Sequence, residues 1–357
     1  MLPMNQRPSV ILLIVFAAAL TCAGQELPAK IAPLGINKLA FEVPQSVGFG
    51  GAYVHSYQVG ADGQLYNVYG QNARTSEVVG SDILIIDGQD AKPRKLVSGG
   101  THPAWSPDGT ELAYCAWKGL LYGQIEVVNA DGTGRRQITN MKGGACFPDW
   151  SPDGTRIAFT ALSPGDSEKN LLADDGMVAK NTEIFIVDKN GEDPAPIIPG
   201  YAARWSPGGT MLVLLREPEK RDPGGSIWLA TADGKKSKVL VESNRKIRGA
   251  AWLPDGKGIT VSSMLSGKYS IFRIYLDGSQ SQGNQPQKIG GDARADWYEP
   301  RLTPDGKHAI AIKNCGSGFG DSNSYCRGSA IALLDLDSGK DVTLAGGVNY
   351  SVVWERK

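Results

Sequence analysis

The chain has 357 residues, 41% of them apolar, with 45 glycines and 37 basic side chains balanced by 37 acidic ones. Without a net charge there is no broad field to gather nucleic acid or an anionic membrane, so neither is an expected partner. Length and apolar content suit one large β-rich domain rather than a disordered or fibrous chain.

At the N-terminus, Val10 to Leu20 is an unbroken apolar stretch behind Arg7, followed by Thr21-Cys22-Ala23-Gly24. It is too short to span a bilayer and ends in small residues, which reads as a secretory signal peptide cleaved after Ala23 or Gly24. Cys22 offers an alternative, lipid attachment, but Ala19-Leu20-Thr21 fits that processing pattern poorly. The expected division is residues 1–24 signal peptide, 25–35 a short segment and 36–354 the folded domain. The expected location is periplasmic or secreted, with no transmembrane span.

Five variants of one phrase organise the rest: W-S-P-D-G-T at Trp105 and Trp150, W-S-P-G-G-T at Trp205, W-L-P-D-G-K at Trp252 and L-T-P-D-G-K at Leu302. The steps are 45, 55, 47 and 50 residues, and Trp354 follows 52 later. A fixed period of this size marks stacked units that bury their apolar faces against one another. Ser106-Pro107-Asp108-Gly109 is a hairpin turn: Pro presets φ, Asp suits the third position and Gly takes the left-handed one. An apolar strand follows each turn (Ile157-Ala158-Phe159), then a second (Ile184-Phe185-Ile186-Val187), a polar turn and a short strand into the next Trp. Four antiparallel strands per unit predict an all-β propeller, with Trp as the wedge between blades.

Tyr350 to Trp354 reads as a first strand with nothing after it, and Asn37 to Phe41 as a second strand lacking its first. Pairing them gives six blades: 36–98 plus 349–354, 101–142, 146–199, 201–244, 247–291 and 298–346. A rival count makes residues 50–98 a separate full blade. Residues 44–81 are long enough for a hairpin, with strands at Ala52-Tyr53-Val54 and Leu65 to Tyr69, serving as a lid or an insertion.

The W-S-P-D-G phrase with its I-A-F-type strand and D-x-x-G turn resembles the TolB-type β-propeller repeat, over about Ile36 to Trp354. That repeat also occurs in propeller domains of prolyl-oligopeptidase-like enzymes, whose hydrolase domain needs a G-x-S-x-G elbow that this sequence lacks. TolB carries an α/β domain before its propeller, for which residues 26–35 are too few. The resemblance implies a propeller alone, and a fold more than a function.

Removal of Cys22 with the signal leaves Cys115, Cys146, Cys315 and Cys326, an even number for an oxidising compartment. The expected disulfides are 115–146 and 315–326. Positions that recur in every blade are structural; Asp108 and Asp153, replaced by Gly208 in the third copy, belong to turns. Residues polar or aromatic in one blade alone are the functional candidates, near the mouth of the channel on the long-loop face. They are His102, Tyr201, Arg248, Trp297, Tyr298 and Glu299. Asp149, Arg204 and Arg301, each just before the repeated Trp position, form an internal ion pair or ligate something in the channel.

No residue is assigned a catalytic role. The expected function is a monomeric, non-catalytic scaffold binding a protein or peptide of the cell envelope. The alternatives are a polysaccharide lyase or hydrolase, or a binder of calcium or a small ligand in the channel. No cofactor is required by this reading, although calcium fits the third. His55, His102 and His308 are too few and too scattered for a histidine-built metal site.

Overall fold

The repeated turn closes as its sequence dictates. In the computed structural model the Ser106 hydroxyl donates to Asp108 Oδ1 at 2.6 Å, and the Thr110 N–H donates to the same oxygen at 3.0 Å. The Gly109 N–H bonds the Ser106 carbonyl at 2.9 Å, with Gly109 at φ 69°. Asp153 accepts from Ser151 and Thr155 in the same way. Where Gly208 replaces the aspartate, the Gly209 N–H still reaches the Ser206 carbonyl at 2.9 Å. These aspartates are turn residues.

The structure describes residues 36–43, 54–59, 65–70, 81–87, 90–117, 123–163, 181–216, 224–264, 268–276, 285–291, 295–314, 329–346 and 348–354. Within them lie six four-stranded antiparallel sheets. Blade 1 is Val348–Trp354, Ile36–Val43, Asp82–Asp87 and Asp90–Ser98. Blade 2 is Gly100–Trp105, Glu111–Trp117, Gly123–Asn129 and Arg136–Gln137, and blade 3 is Ala145–Trp150, Arg156–Leu162, Thr182–Asp188 and Ala195–Pro199. Blade 4 is Tyr201–Trp205, Met211–Arg216, Gly225–Thr231 and Ser237–Ser243. Blade 5 is Ile247–Trp252, Gly258–Ser263, Ser270–Tyr275 and Gln287–Gly290. Blade 6 is Asp296–Leu302, His308–Asn314, Ser329–Asp335 and Asp341–Gly346.

Blade 1 takes its innermost strand from the C-terminal end and the other three from the N-terminal part. Leu39 lies opposite Val352 and Phe41 opposite Tyr350, so both strands gain a partner and no edge is left open at the seam. Val54–Val59 pairs with Leu65–Gly70 as a separate two-stranded sheet, so residues 50–98 are not a blade of their own. The signal-peptide residues and Cys315 and Cys326 lie outside the described residues. Among those described, no helix is long and apolar enough to cross a membrane.

Tryptophan links neighbouring blades in two ways. Trp150 packs with Ala113, Ile125 and Val127 of blade 2 and with Ile157 and Phe159 of its own blade. Its indole Nε1–H also donates to the Ala104 carbonyl at 3.1 Å. Trp205 donates likewise to the Asp149 carbonyl at 3.2 Å, and Trp252 to the Arg204 carbonyl at 3.1 Å. Each acceptor is the residue just before the preceding blade's Trp. At the seam the arrangement differs: Trp105 Nε1 has no partner among the described residues, while its backbone N–H donates to Ser351 Oγ at 2.9 Å. On the other side of the closing strand, the buried Tyr350 hydroxyl reaches the Glu299 and Ile310 carbonyls at 2.7 and 2.6 Å.

Trp150 and Trp105 are 6% and 5% exposed, so they form a matched pair differing in the indole bond. Both Trp→Phe substitutions cost packing, but Trp150→Phe also strands a buried carbonyl. Urea denaturation should find Trp150→Phe less stable than Trp105→Phe by about 1 kcal/mol. Equal losses would show that the indole bonds add nothing to blade docking.

Candidate functional site at the channel mouth

The six innermost strands surround the axis, and in five of them the ladder is interrupted at one place. Register shifts fall between Thr101 and Ala104, Cys146 and Asp149, Tyr201 and Arg204, Ile247 and Ala250, and Tyr298 and Arg301. At each bulge the residue three before the Trp position has positive φ: His102 (51°), Phe147 (56°), Ala202 (52°), Gly249 (87°) and Glu299 (49°). Four of the five are not glycine, a strained choice costing on the order of 1 kcal/mol each. A bulge re-aims the side chains around it. Gly249 is required by crowding too, since a Cβ there would lie 2.9 Å from Cα of Glu299. Three of the bulges place Pro next, at Pro103, Pro148 and Pro300, where no ladder donor is available.

These bulges bring most of the candidates together. Deepest is the ion network. Asp149 Oδ1 lies 3.5 Å from Arg204 Nη1 and 3.9 Å from Arg301 Nη2, and Arg204 Nη2 is 4.0 Å from Glu299 Oε2. Asp149 Oδ2 also accepts the Trp205 N–H at 2.9 Å, tying blade 3 to blade 4. Burial, then the neighbouring Arg204 charge, lowers the pKa of Arg301 against the pull of Asp149. Two cations thus face two carboxylates within 4.0 Å. Among the described residues no group of three or more His, Cys, Asp or Glu is placed to hold a metal ion.

Above this network the mouth has two unlike sides. On blades 4 to 6, Arg248 is exposed and bonds the Tyr269 hydroxyl, with Tyr298 and Tyr201 beside it. The Tyr269 and Tyr298 rings are 4.9 Å apart and tilted by 56°. Burial lowers the guanidinium pKa, but the tyrosines, Tyr269 foremost, outweigh that and raise it. Burial, then Asp296, pushes the Tyr298 hydroxyl up to about 12. Both residues therefore keep their ordinary protonation at neutral pH.

Trp297, a candidate at the mouth by sequence, lies in the core instead. It is 1% exposed, packed with Leu253, Ile271 and Leu302, and its backbone N–H donates to the Tyr269 carbonyl at 3.0 Å. Alternation along the strand sends Trp297 into the core and Tyr298 to the mouth. Tyr269 was not expected there; one cue was its place in the loop of the neighbouring blade.

On blades 1 to 3 the mouth is lined by His102 and Phe147, with Cys146 and Glu42 buried behind them. The His102 and Phe147 rings lie 4.2 Å apart, and His102 Nδ1 is 3.5 Å from Cys146 Sγ and 3.1 Å from Thr101 Oγ1. Buried Glu42 accepts the Ser81 hydroxyl at 2.7 Å and the His102 N–H at 3.3 Å. Burial pushes the imidazole down, but Cys146, then Glu42 and Glu299, outweigh it and raise His102 to about 9. Burial likewise raises a thiol, yet Cys115 and the His102 charge bring Cys146 down to about 5. Burial and Cys146 push Cys115 well up.

Cys115 and Cys146 meet across blades 2 and 3, and the Cys115 thiol donates to the Ala145 carbonyl at 3.3 Å. Both are free thiols, so the structure contains the expected neighbours without the expected bond. The grouping with His102 escaped the sequence because its three members are 13 to 44 residues apart. Glu42, a lone charge inside the apolar run Leu39 to Val43, was a visible cue.

No family model matches the chain. An uncharacterized protein of Agrobacterium fabrum is 27% identical over 250 residues, which is 68% of this chain and 74% of that protein. A solved candidate TolB from Agrobacterium tumefaciens aligns at 21% identity and a TM-score of 0.54, covering 72% of this chain and 85% of that one. TolB from Acinetobacter baumannii aligns at 17% identity and a TM-score of 0.56, covering 91% and 85%.

Asp149→Asn keeps an acceptor for the Trp205 N–H but leaves Glu299 as the single carboxylate facing Arg204 and Arg301. It should lower stability by about 2–3 kcal/mol in urea denaturation, with part regained in Asp149→Asn/Arg301→Leu. Loss of the effect in 1 M salt alone would instead mark a screened surface pair.

The likenesses are of architecture: with the repeated turns and the closing strand, the chain is a six-bladed β-propeller similar in fold to the solved TolB structures.

Proposed function

We propose that the chain is an exported, non-catalytic propeller that acts as a monomer and binds a protein or peptide of the cell envelope at the channel mouth. The observation that carries this reading is the group of Tyr201, Arg248, Tyr269 and Tyr298 on three adjacent blades. Tyr and Arg are the side chains most enriched where proteins meet, since each offers a large contact area and a polar tip. The bulged strands hold Tyr201, Arg248 and Tyr298 on a rigid wall backed by buried Tyr269, so little entropy is lost when a partner docks. Deeper in the channel the Asp149, Arg204, Arg301 and Glu299 charges satisfy one another, which directs recognition to the mouth above them. Export is supported by the apolar stretch Val10 to Leu20 and by the likeness of the repeats to those of periplasmic TolB.

The test is a pull-down from envelope extract with residues 25–357 as bait, beside the variant Arg248→Ala/Tyr298→Ala. Truncating a central Arg and Tyr should weaken partner retention at least tenfold, as loss of two anchors of about 1–2 kcal/mol each requires. Equal capture by both proteins, or no capture by either, would remove the mouth as the interface. Circular dichroism of the variant confirms that the fold is intact.

A further inference from the structure

The scaffold reading makes no use of the thiols beneath the other side of the mouth. Free thiol pairs inside a rigid propeller need no histidine, yet here one is supplied. His102 is held at a strained φ of 51°, and that bulge aims Nδ1 at Cys146 Sγ, 3.5 Å away. Cys115 lies beside Cys146, its sulfur seated in a space that a Cβ on Gly123 would enter at 2.4 Å. Leu162 and Phe147 pack around the two sulfurs and keep them dry. His102 as a residue is partly exposed, whereas both cysteines are about 1% exposed. Sulfurs this buried admit only a small reagent.

We propose that Cys146, Cys115 and His102 form a peroxide-reactive thiol pair, in which a hydroperoxide drives a disulfide between blades 2 and 3. In the first step the Cys146 thiolate attacks one oxygen of hydrogen peroxide. An S–O bond forms, the O–O bond breaks, and the departing hydroxide takes the proton of the His102 imidazolium to leave as water. In the second step Cys115 attacks Cys146 Sγ. The S–S bond forms, the S–O bond breaks, and the departing hydroxide leaves as water with the Cys115 proton. Two thiols and one hydrogen peroxide thus give one disulfide and two waters.

The roles follow from the surroundings. Groups facing the pair are Glu42 from blade 1, Thr101 and Cys115 from blade 2, and Glu299 across the mouth. His102 is the one cation among these groups, so it stabilises the thiolate on the sulfur it touches, Cys146. Cys115 donates to the Ala145 carbonyl, and burial, then Cys146, keeps it a thiol that resolves the intermediate. Because Cys146 ionises near 5 and His102 near 9, the ion pair persists between pH 6 and 8.

The experiment treats folded protein, residues 25–357, with hydrogen peroxide and quenches with an alkylating reagent at intervals. Trypsin releases Cys115 in residues 96–118 and Cys146 in residues 143–156, so a linked peptide identifies this disulfide among all others. The expected rate of Cys146 oxidation is flat from pH 6 to 8, while that of free cysteine climbs roughly fiftyfold or more. At pH 6 the thiolate gain of about 300-fold, less the lower nucleophilicity of a more acidic thiol, leaves Cys146 about tenfold faster than free cysteine. His102→Gln should restore the steep pH dependence, and Cys115→Ser should leave a sulfenic acid that dimedone captures on residues 143–156. Tryptophan fluorescence shows that each variant remains folded. Absence of the linked peptide from folded protein, or a rate that climbs with pH as free cysteine's does, would overturn the proposal.

Discussion

Everything in this fold hangs on how one blade meets the next. A four-stranded blade cannot bury both faces by itself, so each depends on a large apolar wedge delivered at a fixed place. Tryptophan fills that role because it combines the greatest buried area with one directional donor. Trp150, Trp205 and Trp252 each spend that donor on the preceding blade's carbonyl, which fixes the angle of docking as well as its strength. Leu302 takes the wedge position in blade 6, where docking relies instead on side-chain hydroxyls: Thr260 and Ser262 of blade 5 donate to the Pro300 and Trp297 carbonyls.

The innermost strands carry a second constraint. They converge on the axis, and a regular ladder would send alternate side chains into one another. A bulge at the same place in five strands turns the chain before it reaches the most crowded depth. The left-handed residue costs conformational energy in the four copies where it is not glycine, and that strain is spread round the mouth rather than concentrated at one point. The result is a rim whose residues differ from blade to blade on an otherwise repeated frame: tyrosines and Arg248 on one side, His102 with a thiol pair on the other.

The blade count, the turns and the closing strand were legible in the sequence, because each rests on local chemistry. Ser-Pro-Asp-Gly makes its turn wherever it occurs, and an unpaired strand at each end of a repeat can be satisfied only by the other. Asp149, Arg204 and Arg301 were also legible as charges out of place in an apolar column. Trp297 shows the limit. Its neighbours Tyr298 and Glu299 made an aromatic patch on paper, but a period of two along the strand separates Trp297 from Tyr298 onto opposite faces.

What the sequence determined by itself was the repeat, and through it the propeller, since a wedge and a turn at a constant interval admit few other closed solutions. Which side chains meet at the mouth was decided only by closure. Glu42, His102 and Cys146 come from three blades, and Arg248, Tyr269 and Tyr298 from two more, with no spacing in common. Their distances depend on the rotation between blades and on the bulges, both set by packing of the whole ring rather than by any segment of it.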